Sequence, residues 1–434
     1  MRAVVMLLAL CGFAAAQEAP TLDRATQARL QSLTVDLSAA QKAEDAAAVR
    51  KLAKEAIKLL GDHAGVPETP DQFRPLAKEP KPLSADEIAN GFDPYIGYIK
   101  RQKRWKKDLD PTKSNHAARE VATVIEGCLS ARQVSKEKAG ELLQMARDAG
   151  DYLVWSQEQA GTGVIPFPAV RNGTGRPFEV AEMFLRRAEK DGTVDKVIRH
   201  GWTVEDFEDG GLQFDNGLAG VALAHLHEAT NDDRYRKAAL RAADWAADRR
   251  VVTNWNYNSF SIVLLAEAYR LSNDRKYLDA ARKKATLGVL PGQLTEGPRA
   301  GRWADAHNAR PAYHYIMVRH LAALAAVMPK DDADLPAIID CLRIALLARN
   351  PDYRKGIINS DSSIEALVRV RMLPAHVANQ LKDCQSIEAL TALEASAAEA
   401  FRNNRPSMSP GAWGQLLAYR YTQLTRPEVP LPPQ

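Results

Sequence analysis

A repeated helical hairpin constrains the fold of this chain more than any other feature of its sequence. The segment that begins at Asn216, NGLAGVALAHLHEATNDDRYRKAALRAADW, resembles the segment that begins at Asn258, NSFSIVLLAEAYRLSNDRKYLDAARKKATL. At the same offset of 42 residues, the Asn-Asp pairs at 231–232 and 273–274 also coincide. Each copy has a helical pattern that is apolar nearly all round, a tight polar turn, and a second helical pattern with charges on one face. The first helix of each pair is therefore predicted to be buried, and the second to face water.

Further helical patterns extend this array over most of the chain. A third, looser copy places His314 opposite Asn258 when the turns are aligned. Almost no alternating strand pattern interrupts the array, so roughly five to six hairpins follow one another. The other helical patterns cover residues 22–60, 117–132, 136–157, 360–383, 386–402 and 410–424.

The lengths of the loops indicate how the hairpins are arranged. The turns inside the hairpins are short, whereas the loops between them, at 158–178, 197–216, 251–257 and 289–310, are long. Each long loop precedes a buried first helix, so all of them are expected at one rim. Tetratricopeptide-type arrays keep a period of about 34 residues and short loops, which does not fit. We therefore predict an all-α fold, an (α/α) toroid of about five to six helical hairpins at residues 86–425, with an N-terminal helical arm.

Three of the long loops carry residue types that bind sugars. Trp and Tyr rings can stack on the C–H face of a sugar, while Asp, Asn and Arg side chains bind its hydroxyls. Helix N-termini together with Arg171 and Arg310 would also suit the carboxylate of a uronic acid. The predicted substrate-binding residues are Trp255, Asn256, Tyr257, Asn258, Trp303, Asp305, Arg310, Tyr313 and His314.

The turns ATNDDRY and LSNDRKY inside the hairpins resemble the inter-helix turns of the six-hairpin (α/α) toroid superfamily of glycoside hydrolases and polysaccharide lyases. The resemblance spans roughly residues 116–425 and concerns architecture rather than a specific family. The stretch NWNYNS, from Asn254, is similar to the Asn-rich helix start of toroid alginate and chondroitin lyases. The resemblance implies a carbohydrate-active protein.

Three functions remain open at this point. A hydrolase needs a general acid and a second carboxylate, about 5–5.5 Å apart if retaining or about 6.5–9.5 Å if inverting. Its candidates are Asp206, Asp209 and Asp215 in the stretch around FEDGGLQFDNGLAG, with Asp305 from another loop. Because these carboxylates are clustered, we favour hydrolysis of a polysaccharide or oligosaccharide, with a uronic acid among the candidate sugars.

A lyase would use a different set of residues. It needs a group that neutralises a uronate (Asn256, Asn258 or Arg310), a base and a proton donor. His307 or His314 is the candidate base, and Tyr257 or Tyr313 the candidate donor. The third alternative is a non-catalytic toroid that binds glycans or another protein. The predicted catalytic residues are Asp206, Asp209, Asp215 and His307.

Each of these side chains also has a structural interpretation. Asp215 could cap the helix that follows it. Trp255 and Trp303 could be wedges between hairpins, and His307 and His314 could be hydrogen-bonded structural residues.

The N-terminus predicts export. Arg2, an apolar run and Ala14 to Ala16 form a signal peptide over residues 1–16, so the mature protein is expected to be secreted or periplasmic. A helical segment at 17–60 and a proline-rich linker at 61–85 precede the toroid, and a proline-rich tail occupies 426–434.

Composition narrows the partners. The net charge of +4 is mild, and no motif indicates nucleic acid, so we expect a carbohydrate substrate and, after signal cleavage, no membrane association. The mature chain keeps three widely spaced cysteines, Cys128, Cys341 and Cys384, which are predicted to be buried core residues rather than a disulfide framework. No spacing typical of a metal site appears, and no cofactor is expected. The oligomeric state is left open.

Overall fold

The computed structural model describes most of the chain. The predicted signal peptide, Arg171 and the tail at 426–434 lie outside the described residues. These are 22–73, 81–102, 118–169, 176–352, 361–384, 387–403 and 408–425.

The chain separates into two compact units. Unit one comprises Met1–Leu76, Arg250–Ser259 and Arg282–Ala389. Unit two comprises Ala77–Arg249, Phe260–Ala281 and Leu390–Gln434. The domain boundaries expected from the sequence, with one toroid domain at 86–425, stay a prediction.

Helices make up nearly all regular structure of the described residues, which confirms the predicted all-α class. No helix among them is long and apolar enough to cross a membrane. In chain order the helices are α1 (Arg24–Lys42), α2 (Ala46–Leu60), α3 (Ala85–Asn90), α4 (Asp93–Gln102), α5 (Ala118–Val134), α6 (Ala139–Ala160), α7 (Arg176–Asp191), α8 (Val194–Val197), α9 (Gly211–Thr230), α10 (Asp233–Asp248), α11 (Trp255–Ser272), α12 (Arg275–Gly288), α13 (Pro311–Val327), α14 (Leu335–Arg349), α15 (Asp361–Arg371), α16 (Ala375–Leu381), α17 (Ile387–Arg402) and α18 (Pro410–Thr425).

Short elements occupy the loops and turns between these helices. Three two-residue strands form an antiparallel sheet of order β1-β3-β2. The strands are β1 (Phe167–Pro168), β2 (Ile198–Arg199) and β3 (Trp202–Thr203). Single turns of 3₁₀-helix lie at Gly61–His63, Lys136–Lys138, Leu290–Gly292 and Lys382–Cys384.

Contacts between helices follow the predicted hairpins within each unit. In unit two, α5 packs against α6, α9 against α10, and α5 against α9. The last helix, α18, also packs against α5, which a toroid of hairpins requires because its last hairpin returns to its first. In unit one, α13 packs against α14 and α15. The hairpin construction read from the sequence is therefore confirmed.

The repeated Asn-Asp pair has a local structural cause. Asn231 and Asn273 adopt positive φ values of 55° and 57°, and so turn the chain out of α9 and α11. Asparagine tolerates this left-handed conformation better than most residues. The side chains of Asp232 and Asp274 then accept a hydrogen bond from the backbone amide two residues later, at 2.9 and 3.0 Å. The pair thus ends one helix and starts the next.

The aligned residues near the start of each hairpin's first helix, Asn216, Asn258 and His314, also have a structural role. The amide of Asn216 donates to the carbonyl of Ala242 in α10 (3.0 Å), and that of Asn258 to the carbonyl of Gly288 in α12 (2.8 Å). His314 donates from Nε2 to a backbone carbonyl of α14 (3.0 Å). Each residue therefore fixes the first helix of its hairpin to the second helix of that hairpin. The alignment of these three positions reflects this shared role.

The N-terminal arm packs within unit one. Helices α1 and α2 form a hairpin, and the Gln41 side chain donates to the backbone carbonyl of Leu287 (3.0 Å). Ala64, Leu294 and Ala304 form a small apolar cluster beyond the end of α2. The start of the predicted linker, at Ala64, is therefore packed against other residues of unit one.

The three described cysteines confirm their prediction. Cys128, Cys341 and Cys384 are buried and form no disulfide.

Candidate functional site

The predicted site residues fall into two groups, one in each unit. Asp206, Asp209 and Asp215 belong to unit two, and all the other predicted residues, from Trp255 to His314, belong to unit one. The prediction that the long loops share one rim stays a prediction.

Four carboxylates precede α9 in unit two. They lie in the acidic loop, which we define as residues 205–210, and α9 begins at Gly211. Glu208 has a φ of 62°, a conformation that costs a non-glycine residue of order 1–3 kcal/mol and that clusters at functional sites. The loop therefore concentrates negative charge and backbone strain in a few residues.

Asp206 is the most perturbed carboxyl group of this loop. It is only 5% exposed, and its two oxygens accept hydrogen bonds from the amides of Glu208 (2.9 Å) and Leu212 (3.4 Å). Burial, and then the neighbouring charges of Asp209 and Glu205, raise the pKa of Asp206 to about 6. The hydrogen bonds from the two amides oppose this rise and do not cancel it. Asp206 therefore carries a proton in a pH range where an ordinary aspartate is ionised.

Asp209 lies in a different electrostatic environment. Its Oδ2 is 3.1 Å from Nη1 of Arg187, and its Oδ1 accepts a hydrogen bond from the amide of Gly211 (3.1 Å). The Arg187 guanidinium also lies over the Phe207 ring, 3.9 Å from its centroid. The acidic loop thus combines a buried carboxylic acid with an ion-paired carboxylate.

Asp215 does not belong to the acidic loop, and its interpretation as a helix cap is wrong, because it lies inside α9 and is fully buried. Its carboxylate accepts hydrogen bonds from the backbone amide (3.1 Å), Nε (3.0 Å) and Nη2 (2.5 Å) of Arg119. That arginine lies 3.9 Å over the Phe214 ring. Asp215 is therefore a structural anchor between α5 and α9, and its catalytic role stays a prediction.

In unit one, a buried chain of amides supports Asp305. The Asn256 amide donates to Oδ1 of Asn308 (2.8 Å), and the Asn308 amide donates to both oxygens of Asp305 (3.0 Å each). Asn256 and Asn308 are both buried, and burial raises the pKa of Asp305. Oδ1 of Asn256 has no hydrogen-bond partner within the described ranges of the chain. This chain of amides thus contains a buried acceptor, without a partner among the described residues, near a carboxyl group that two hydrogen bonds from an amide hold in place.

His320 is buried and lies beside Ser259, but it is not a base that would activate this serine. Nδ1 of His320 lies 2.9 Å from the Ser259 hydroxyl, and Nε2 lies 3.1 Å from an Arg319 nitrogen. Because a guanidinium can only donate, Nε2 must accept, and Nδ1 then donates to the serine. The serine in turn donates to the backbone carbonyl of Asn256 (2.7 Å). These residues therefore position Asn256.

The loop around residue 310 brings three predicted side chains together. The rings of His307 and Tyr313 stack with centroids 4.3 Å apart, and the Arg310 guanidinium lies 4.3 Å over the Tyr313 ring. An Arg310 nitrogen also lies 3.0 Å from Nδ1 of His307, so that Nδ1 accepts this hydrogen bond. Glu68 lies against the same group, with Oε1 at 2.8 Å from Nη1 of Arg310. The cluster therefore already holds a carboxylate.

The two predicted tryptophans have structural contacts, and their role in substrate binding stays a prediction. Trp303 is fully buried, and its Nε1 donates to the carbonyl of Val289 (2.9 Å). Trp255 is also buried and packs on Gly292, where an added Cβ would lie 2.4 Å from the indole. The two indoles fill the core, so they fit the wedge interpretation.

Asn258 and His314 also have structural contacts. Both are fully buried and are fixed by the backbone hydrogen bonds described above. Burial, and then the charge of Arg349, hold the pKa of His314 well below its ordinary value, so this ring is neutral. Tyr257, at the start of α11, is half-buried. Substrate binding by the residues named from the sequence stays a prediction.

Several important residues were not predicted from the sequence. Arg119, Arg187, Asn308 and Glu68 determine which carboxylates and cations are already paired. Arginine in an apolar helix pattern gives no local signal of its partner. Asn308 lies beside two predicted residues, so its position in the loop was the one available signal.

Among the known proteins compared with this chain, the similar ones are solved structures. No protein-family model matches the chain, and no curated protein matches it. One similar structure is a glycosyl hydrolase of family 88 from Bacteroides vulgatus, with 11% identity over 78% of this chain and 99% of that chain, and a TM-score of 0.47. Another is a polysaccharide lyase, with 9% identity over 79% of this chain and 99% of that one, and a TM-score of 0.45. A third is a family 76 α-mannanase from Bacteroides thetaiotaomicron, with 11% identity over 79% and 100%, and a TM-score of 0.44.

At these identities and TM-scores, the similarity assigns no activity and no residue role to this chain.

Proposed function

We propose that this protein is a carbohydrate-active enzyme that hydrolyses the glycosidic bonds of a polysaccharide or oligosaccharide. Asp206 would act as the general acid and Asp209 as the second carboxylate. The observation that carries the proposal is the contrast between the buried acid Asp206, with its pKa raised to about 6, and the ion-paired Asp209. Secretion is part of the proposal and rests on the signal peptide predicted at residues 1–16.

The proposed chemistry follows from the two environments. A glycosidase needs one carboxyl group that still holds a proton near neutral pH, so that it can protonate the leaving oxygen. Burial and like charge supply that condition at Asp206. The second group must be ionised to activate water or to attack the anomeric carbon. Asp209 suits this role because Arg187 stabilises its negative charge. Pairs of carboxyl groups with such different environments are typical of sites that need an acid and a base.

Elimination is the second candidate, and one observation favours it. Arg310 binds a carboxylate, that of Glu68, as the neutraliser of a uronate in a lyase would. The proposed base fits less well, because Nδ1 of His307 already accepts a hydrogen bond from Arg310. We therefore retain hydrolysis as the first proposal.

A panel of neutral and uronic polysaccharides tests both reactions, with reducing ends and ultraviolet absorbance read together. Asp206→Asn should lower turnover by about 10²–10⁴-fold, because the substituted side chain cannot donate the proton. Asp195→Asn, at an exposed position of the same unit, is the matched control and should leave turnover unchanged.

Each other outcome has a definite meaning. Reducing ends accompanied by new ultraviolet absorbance would favour elimination, and His307→Ala should then reduce turnover more than Asp206→Asn. Normal turnover in Asp206→Asn would refute its role as the acid. Glycan binding without any product across the panel would indicate a non-catalytic toroid.

A further inference from the structure

The predicted linker crosses the loop that contains Arg310. We call residues 61–73 the strap; all of them belong to unit one. The amide of Gly65 donates to the carbonyl of Ala304 (2.7 Å), and the amide of Glu68 donates to that of Ala306 (3.0 Å). These two backbone bonds place the Glu68 side chain beside Arg310.

Gly65 allows the strap to approach this closely. Its φ is 72°, and an added Cβ would lie 2.8 Å from Cδ1 of Leu294. A larger residue would therefore meet both backbone strain and a steric clash at this position. Beyond Glu68, Asp71 forms an ion pair with the buried Arg349 (3.0 Å), which fixes the strap at a second point.

Glu68 occupies a site that is preorganised for one carboxylate. Its Oε1 lies 2.8 Å from Nη1 of Arg310, and the side chains of Glu68 and Arg310 are only 17% and 20% exposed. The His307 ring and the Arg310 guanidinium both pack against the Tyr313 ring, which limits the movement of both. A fixed guanidinium with limited access to water is a strong carboxylate ligand.

We propose that Glu68 is an intramolecular occupant of a binding site for the carboxylate of an acidic sugar. A ligand of this class displaces the Glu68 side chain from Arg310 before it binds, so the strap is autoinhibitory. The inference rests on the proposed carbohydrate substrate and adds its regulation. Tyr313 acts as a positioning residue in this arrangement.

The size of the effect follows from the competition. When the binding-competent state is a small fraction of the molecules, the apparent dissociation constant is the intrinsic one divided by that fraction. An ion pair between side chains that are only 17% and 20% exposed favours the closed state by about tenfold. Glu68→Gln keeps the shape of the side chain and both backbone bonds but removes the competing charge. It should therefore tighten binding of a carboxylated ligand about tenfold.

The test measures binding of two probes, methyl glucuronide and the neutral methyl glucoside, by titration calorimetry on the full chain. Glu68→Gln should bind the glucuronide about tenfold more tightly than the wild type and should bind the glucoside unchanged. Glu55→Gln is the matched control, because Glu55 is an exposed glutamate of the same arm that pairs with Arg29. It should behave like the wild type towards both probes.

Arg310 provides the second arm of the test. Arg310→Gln in the Glu68→Gln background should abolish glucuronide binding. The proposal is wrong if Glu68→Gln leaves the affinity unchanged or weakens it, if neither protein binds glucuronide, or if binding survives Arg310→Gln. Because the readout is binding, these outcomes are independent of turnover at Asp206. Tight binding of the glucuronide by Glu68→Gln, together with no hydrolysis of the polysaccharide panel, would contradict the proposed hydrolase. It would not contradict the role proposed for Glu68.

Discussion

Replacing Asp206 by Asn should stabilise the protein at neutral pH. The pKa of Asp206 is raised from about 3.9, the ordinary value, to about 6, so the folded state binds this proton more tightly than the unfolded chain. The related stability is fully present below about pH 4 and is lost as pH rises through 6. A difference of about two pKa units corresponds to about 3 kcal/mol at pH 7. Asn has nearly the shape of the protonated acid and no charge, so it avoids this loss.

The lost hydrogen bonds reduce the gain by a smaller amount. Asn keeps an oxygen for the 2.9 Å bond from the Glu208 amide, and loses the longer, 3.4 Å bond from Leu212. That loss costs about 1 kcal/mol, so about 2 kcal/mol of net stabilisation is expected at pH 7. At pH 4, where the gain is nearly absent, the variant should be less stable than the wild type by up to about 1 kcal/mol.

Urea denaturation followed by circular dichroism, repeated between pH 4 and pH 7.5, measures this difference. Asp195→Asn, at an exposed position, serves as the control and should show no trend with pH. A difference between Asp206→Asn and the wild type that does not grow with pH would refute the raised pKa. Together with lower turnover, the predicted gain would show that the acid is retained at a cost in stability, as is typical of catalytic groups.

Two further outcomes test the packing of unit two. Asp215→Asn should destabilise the protein by about 3–5 kcal/mol, measured by urea denaturation, because it leaves the Arg119 charge without its buried partner. His225 lies between Glu126 and Glu267; burial alone would lower its pKa, but the two carboxylates raise it to about 10. The charged His225 therefore stabilises the fold fully below about pH 6.5, and this stabilisation is lost as pH rises through 10. Between pH 7 and pH 10, the free energy of unfolding of His225→Gln should fall by on the order of 3 kcal/mol less than that of the wild type.

The hairpins could be predicted from the sequence because their signals are local. Apolar periodicity, the turn at Asn231 and Asp232, and its copy 42 residues later all lie within segments of a few dozen residues. Asn in a left-handed conformation followed by a capping Asp ends one helix and starts another, whatever surrounds it. His314 aligns with Asn258 in the sequence because both side chains donate a hydrogen bond to a backbone carbonyl of the next helix.

The roles of the polar residues could not be predicted in this way. The sequence shows that Asp206, Asp209 and Asp215 are close along the chain, and it does not show which of them is already paired. Asp215 is bound by an arginine 96 residues away, and Asp209 by one 22 residues away. Tryptophan occurs both in core wedges and in sugar-stacking platforms, so the sequence does not distinguish these two roles for Trp255 and Trp303.

The sequence by itself determined the helices, their turns and their order, because these depend on interactions between residues a few positions apart. The tertiary structure alone decided which charges are neutralised and which remain for chemistry. Asp206 acquires its raised pKa from burial, and Arg310 acquires a carboxylate from the strap, at Glu68. Both effects arise from solvent exclusion and from contacts that the chain makes only after it has folded, so no local pattern encodes them.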